Sequence, residues 1–120
     1  ELARAQYFHY RWQLEPQLAA AALQQYQVLL QNHPDSKYRN RHLIALADLY
    51  SDFSRRYAMR HPPVSLRFDP ATFDEYAKSA TRLYESVSQQ DGAIEKLEAV
   101  YKLEAFAAFT LEIHEQKIPR

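Results

Sequence analysis

Five histidines are the residues of this sequence best suited to metal binding or proton transfer, and they lie at positions 9, 33, 42, 61 and 114. A zinc-binding helix needs the spacing H-E-x-x-H, but no second histidine follows His114-Glu115. The Glu-x-x-His spacing of di-iron bundles is also absent. His33 and His61 each precede a proline, which favours a capping position at a helix C-terminus. The spacing therefore predicts structural histidines and no metal site.

Other reactive groups are equally sparse. The chain has no cysteine, which excludes disulfides and thiolate metal sites, and its single glycine excludes a glycine-rich phosphate loop. Serine and aspartate residues are scattered without the order of a nucleophile elbow or a triad. The sequence therefore predicts no catalytic residues and no cofactor, and a protein that is not an enzyme.

Arginines at positions 39, 41, 55, 56 and 60 could contact phosphate groups, with Tyr57 nearby. They suggest an alternative function, a basic face that docks on nucleic acid or anionic lipid. The chain has a formal net charge of zero and no known nucleic-acid recognition motif, so nucleic acid is the less favoured partner.

The elements that carry these residues are predicted to be helices. The chain has 120 residues, 47% of them hydrophobic and 25% charged, which suits one folded domain. The scarcity of glycine argues against hairpin turns and hence against a sheet. Prolines, capping residues and apolar spacing place five helices at about residues 2–14, 16–32, 37–60, 70–89 and 93–116.

Local signals set several of these boundaries. Ser36 is predicted to cap the third helix, Asp69 is predicted to cap the fourth, and Asp91-Gly92 is predicted to close the fourth. Residues 61–70 form the longest predicted non-helical stretch. Its alternating apolar side chains could lie across a helical surface: Val64, Leu66 and Phe68.

The first and fifth helices carry much apolar surface. In the first, one stripe contains Ala3, Tyr7, Tyr10 and Leu14. Two interpretations are open: a core helix whose aromatic tips reach solvent, or a helix whose outer face meets another protein. The fifth helix is predicted to be well buried through nine apolar residues: Leu97, Val100, Tyr101, Leu103, Ala105, Phe106, Ala108, Phe109 and Ile113.

Charge is distributed unevenly along the chain. Residues 1–67 carry nine Lys or Arg and five Asp or Glu, whereas residues 68–120 carry six and ten. The halves either pack together and neutralise one another, or form a bipolar surface that orients a partner.

One spacing points to a family. Ala22, Tyr26 and Leu29 precede Pro34, and the sequence Leu46-Ala47-x-x-Tyr50 begins twelve residues after that proline. This pattern resembles a tetratricopeptide repeat, in particular the divergent repeats of bacterial envelope lipoproteins that help to assemble outer-membrane proteins. Ala80, Tyr84 and Val87 repeat the same spacing, although the segment 61–70 would be an insertion between regular repeats.

The resemblance implies antiparallel helix pairs stacked as a short right-handed superhelix with a concave binding surface. The expected function is a non-enzymatic scaffold module that binds a protein or peptide, within a larger multi-protein complex. The expected contact residues are six: Tyr7, Tyr10, Arg39, Arg41, Tyr50 and Arg56.

The expected location follows from the same resemblance. It is the periplasm, with association to the outer membrane, and the cytoplasm is the alternative. No apolar run approaches the roughly 20 residues of a membrane span. The chain opens on Glu1, so we expect it to be a piece of a longer protein.

Overall fold

A computed structural model describes residues 2–34 and 37–116, and this part of the chain is all-helical. It contains five α-helices and no strand. A single 3-10 turn, Pro16–Leu18, precedes the second helix. The helices are α1 Leu2–Leu14, α2 Ala19–Asn32, α3 Arg39–Arg60, α4 Pro70–Ser88 and α5 Lys96–Gln116. The predicted all-α class with five helices is confirmed.

Several predicted boundaries are also confirmed. Asp69 caps α4, since its Oδ1 accepts a hydrogen bond from the backbone N–H of Ala71 at 3.3 Å and its Oδ2 accepts one from the Thr72 hydroxyl at 2.7 Å. His33 and His61 occupy the C-cap positions of α2 and α3, and their backbone N–H groups donate to helical carbonyls four residues earlier.

Four helix ends differ from the prediction. The turn after Pro16 is 3-10, so α2 begins at Ala19. Helix α3 begins at Arg39, and the predicted cap Ser36 lies outside the described residues. Helix α4 ends at Ser88, so Gly92 does not close it but lies in the following turn. Gly92 has a φ of +81°, which glycine adopts without strain. Because this turn occupies the residues before Lys96, α5 begins only at Lys96.

Consecutive helices pack side by side in opposite directions. Phe53 and Asp48 of α3 meet Tyr76 and Tyr84 of α4, so contacts move backwards along α3 as they advance along α4. Helix α3 also contacts α1, through Trp12, and α5, through Lys102. In both the α1–α3 and the α3–α5 contacts, residues later in one helix meet residues later in the other. The three helices therefore run in the same direction.

Two hydrophobic clusters meet at α3. One joins α1, α2 and α3, and the other joins α3, α4 and α5. Half-buried Leu30, Tyr50 and Leu83 contact both clusters. The repeated triplets predicted from the sequence are all buried, with one in each cluster: Ala22, Tyr26 and Leu29; Ala80, Tyr84 and Val87.

The connection from α3 to α4 is fixed by one aromatic ring. Phe68 is buried between Tyr57 and Phe73, with each pair of ring centroids 5.7 Å apart. Val64 and Leu66 are exposed, so only one of the three alternating apolar residues packs on the helices. The reason is that the short turns at Ser65 and Phe68 bend the segment instead of extending it.

The oppositely charged halves of the chain pack together. Lys102 of α5 lies 2.7 Å from Asp48 of α3, and Arg41 lies 3.5 Å from Glu95. Both ion pairs join the two halves, but only the Arg41–Glu95 pair sets a cation of the basic half against an anion of the acidic half, as the first interpretation of the charge distribution predicts. The Lys102–Asp48 pair has the opposite sense.

The prediction that α5 is well buried is wrong for one of its faces. Ala99, Phe106 and Ile113 are buried against the domain. Leu97, Tyr101, Ala105 and Ala108 lie on the opposite side and are exposed. Because α5 has apolar residues on both faces and contacts other helices on one only, the second face is left in solvent.

None of the helices in the described segments combines the length and the hydropathy that would let it cross a membrane.

Candidate partner-binding surfaces

Helix α1 is held on the domain by Trp12 and His9. The Trp12 side chain is only 7% exposed, and its ring meets Phe53 edge-on with centroids 4.7 Å apart. His9 Nε2 lies 2.7 Å from Asp52 Oδ2, and His9 Nδ1 lies 3.1 Å from the Tyr26 hydroxyl. Since a carboxylate only accepts, Nε2–H donates to Asp52, and Nδ1 is within hydrogen-bond distance of the Tyr26 hydroxyl.

The His9–Asp52 pair is completed by a buried tyrosine. Its third member, Tyr26, is buried, and burial together with the charges of Asp48 and Asp52 raises its pKa to about 12. The Tyr26 hydroxyl therefore stays protonated at neutral pH and is closed to a substrate. Within residues 2–34 and 37–116, no three His, Asp or Glu side chains converge so as to hold a metal ion.

A groove opens where α1 ends, beside the C-terminal half of α3. We call it the aromatic groove. Aromatic rings form its base and cationic side chains its edge, and its lining consists of Trp12, Pro16, Ala19, Phe53, Arg56, Tyr57, Arg60, His61 and Tyr76. Its volume is about 200 Å³. None of these lining residues is acidic, so among the described residues the groove combines apolar surface with positive charge.

The aromatic rings at the base of the groove contact one another. Phe53 contacts Trp12 and Tyr76, with 5.5 Å between the centroids of the latter pair. Tyr57 stacks near Phe68 and accepts a hydrogen bond at 2.9 Å from the backbone N–H of Asp69. These side chains come from α1, α3 and α4, so the groove exists only when those helices are docked.

The six predicted contact residues do not form one surface. Tyr7 and Tyr10 lie on the outer face of α1 and are exposed. Arg39 and Arg41 lie at the start of α3, where Arg41 pairs with Glu95. Their distance from Arg56 along the helix is about 25 Å for Arg39 and slightly less for Arg41.

Tyr50 and Arg56, the other two predicted contact residues, also make contacts within the domain. Tyr50 is half-buried between the two hydrophobic clusters, and burial raises its pKa. Arg56 donates a hydrogen bond to the backbone carbonyl of Gln13 at 3.1 Å and forms part of the edge of the aromatic groove. Only Arg56 of the six lines this groove.

The arginines of α3 do not form an uninterrupted basic face. Asp48 and Asp52 project between them, and each carboxylate is engaged by a neighbouring helix. Arg55 lies over the Phe109 ring at 4.3 Å and donates to the Ser51 hydroxyl at 3.2 Å. Sequence reasoning overlooked these aspartates, although two Asp residues four apart in the middle of an apolar helix indicate buried polar partners.

The remaining open surfaces are the outer sides of the first and last helices. Helix α1 exposes Tyr7, Tyr10 and Leu14, and helix α5 exposes Leu97, Tyr101 and Leu111. A larger depression of about 400 Å³ lies between α4 and α5, and its lining includes Asp74 and His114, which lie 2.9 Å apart.

Comparison with known proteins identifies no relative: no family model, no curated protein and no solved structure matches this chain. The resemblance to tetratricopeptide repeats, with its right-handed superhelix, stays a prediction from the sequence.

Proposed function

We propose that this domain is a non-enzymatic helical scaffold that binds a segment of a partner protein in the aromatic groove. The observation that carries the proposal is the pairing of partly open aromatic rings with Arg56, Arg60 and His61 along one edge. Aromatic and arginine side chains are the residues that contribute most to protein–protein binding.

The size and charge of the groove define its ligand. Its volume of about 200 Å³ is below the roughly 300–1,000 Å³ of small-molecule pockets. It suits one or two side chains of a peptide, and the aromatic base favours a leucine or an aromatic residue. The cationic edge favours carboxylates beside that residue. The proposed ligand is therefore an acidic segment with an apolar anchor.

Fluorescence polarisation with two labelled peptides tests this proposal. One peptide carries Phe and Leu flanked by Glu, and in the other every Glu is replaced by Lys. We expect the acidic peptide to bind and Arg56→Glu with Arg60→Glu to weaken binding about tenfold or more. Arg82→Glu is the matched control, because Arg82 is exposed on α4 away from the groove. Equal binding of both peptides, or equal affinity in the double variant, contradicts the proposal.

The alternative, docking on nucleic acid or anionic lipid through the arginines of α3, has weaker support. Asp48 and Asp52 divide the basic residues, and Arg41 and Arg55 are engaged within the domain. A salt titration separates the two functions, because phosphate contacts weaken steeply with salt and apolar anchors weaken little.

The proposed setting is a multi-protein assembly of the bacterial envelope, with the domain in the periplasm. This part of the proposal is supported by the sequence resemblance alone. Cell fractionation followed by cross-linking of the protein in its native host tests it, and recovery from the cytoplasm supports the alternative location.

A further inference from the structure

The outer face of α1 is apolar although it contacts no other helix of the described chain. We call it the N-terminal face, and it consists of Ala3, Tyr7, Tyr10 and Leu14. These residues lie opposite the buried Ala5 and Trp12, and Tyr10 and Leu14 are 64% and 67% exposed. Such a stripe, with spacings of three and four, has the form of a helix-packing surface.

Helix α5 has a matching surface. We call it the C-terminal face, and it consists of Leu97, Tyr101, Ala108 and Leu111. It lies opposite the buried Ala99, Phe106 and Ile113, and its three large side chains are each about 60% exposed. The N-terminal face is about 17 Å long and the C-terminal face about 21 Å, at 1.5 Å per residue.

The two faces carry opposite charges. The segment from Leu2 to Leu14 has no acidic residue, and Arg4 and Arg11 lie along one side of the N-terminal face. Arg11 is paired with Glu15 just beyond the helix, so Arg4 carries the net positive charge of this face. Glu98, Glu104, Glu112 and Glu115 lie within or beside the C-terminal face, and all four are exposed. Lys102, a cation of the same helix, is engaged instead by Asp48 on the inner side.

We propose that the N-terminal face of one copy of this chain packs on the C-terminal face of a second copy. Complementary charges favour this pairing over two C-terminal faces, since the glutamates of two such faces would repel one another, whereas Arg4 of the N-terminal face attracts them. The contact is head-to-tail, so an open assembly keeps one free N-terminal face at one end and one free C-terminal face at the other. Association then continues into rings or open chains rather than stopping at a symmetric dimer.

Sedimentation velocity of the 120-residue chain tests the contact. Over about 10 µM to about 1 mM we expect the average mass to rise beyond that of a dimer. Raising NaCl from about 0.05 M to about 0.5 M is expected to weaken the association several-fold, because exposed charges are screened. A monomer at every concentration, or a mass that stops at two copies, overturns the proposal.

Two single-face variants distinguish head-to-tail packing from symmetric packing. Tyr10→Asp removes the N-terminal face and Leu111→Arg removes the C-terminal face, and each is expected to weaken self-association about tenfold or more. Mixed together, they still have one intact face of each kind and are expected to form a one-to-one dimer that grows no further. Self-association of either variant alone at the wild-type level, or no dimer in the mixture, overturns the proposal.

The matched control is Leu66→Asp. Leu66 is 83% exposed in the α3–α4 connection, away from both faces, so its substitution is expected to leave the association unchanged. Far-ultraviolet circular dichroism of each variant shows that the helices are retained.

Discussion

The Tyr84 hydroxyl donates a hydrogen bond of 2.5 Å to Oδ1 of Asp48, and this bond links α4 to the centre of α3. The other carboxylate oxygen of Asp48 accepts from Lys102 of α5 at 2.7 Å. One aspartate therefore joins three helices beside the second hydrophobic cluster. Because Tyr84 is only 3% exposed, its hydroxyl has no route to bulk water as a substitute partner.

Replacing Tyr84 with Phe is expected to lower the free energy of unfolding by about 1–3 kcal/mol at pH 7, since a hydrogen bond to a charged acceptor is lost. Tyr101→Phe is the matched control and is expected to have an effect below about 0.5 kcal/mol, because Tyr101 is exposed. Urea denaturation of both variants measures the difference, and equal stabilities would show that the bond contributes nothing.

Alkaline pH is expected to destabilise the domain through its buried tyrosines. Burial, with the negative charges of Asp48 and Asp52, raises the pKa of Tyr26 to about 12, and burial with the Asp48 hydrogen bond raises the pKa of Tyr84 further. The unfolded chain ionises near pH 10, so their contribution is fully present below about pH 10 and is lost as the pH rises through the folded pKa.

For Tyr26 this loss falls between about pH 10 and the folded pKa of about 12. We expect the Tyr26→Phe variant to lose less stability than the wild type over that range, by up to about 1.4 kcal/mol per pH unit. Denaturation at several pH values, compared with Tyr101→Phe, isolates the contribution from that of the lysines. If the free energy of unfolding fell equally with pH in the wild type and in Tyr26→Phe, the proposed contribution of Tyr26 would be contradicted.

Mild acid is expected to act through His42. Burial lowers the pKa of His42, with a smaller contribution from the nearby His33, and its Nδ1 has no hydrogen-bond partner among the described residues. The unfolded chain then takes up the proton first, so stability is present above about pH 6.5 and falls as the pH decreases.

His42→Leu removes this titration without removing a hydrogen bond from Nδ1. We expect the variant to be at least as stable as the wild type at pH 7 and to lose less stability between pH 7 and about pH 5.5. Urea denaturation at both pH values provides the comparison. An equal or larger acid loss in the variant is the result that this explanation does not allow.

The docking of α1 is expected to depend on Trp12. Trp12→Ala should destabilise the domain by about 3–5 kcal/mol, since it leaves a cavity against Phe53. Tyr10→Ala on the same helix is the control, with an expected effect within about 0.5 kcal/mol because the side chain is exposed. Thermal unfolding followed by circular dichroism measures both, and similar shifts would mean that α1 is not held by its inner face.

The sequence predicted the helices well where local interactions set them. Asp69 caps α4 because its carboxylate reaches the backbone N–H of Ala71 and the hydroxyl of Thr72, and the prolines after His33 and His61 end α2 and α3. The prediction from the sequence was less reliable at the start of α5. The turn around Gly92 there includes residues with good helix propensity. Turn geometry there outweighed propensity.

The candidate site was only partly predictable. Arg56 was identified from the basic composition of α3, but the aromatic groove beside it draws side chains from four helices. No spacing within one helix indicates that Trp12, Phe53 and Tyr76 converge. Such a groove depends on contacts between residues that are distant in the chain.

The sequence by itself determined the number and type of the helices, because capping residues, prolines and apolar spacing act over a few residues. Only the tertiary structure decided which faces of α1 and α5 are covered, because both helices are apolar on two sides and neighbours cover one. It also supplied the partners of Asp48 and Asp52 from residues 36 to 54 positions away. Interactions over such separations form only when the helices pack.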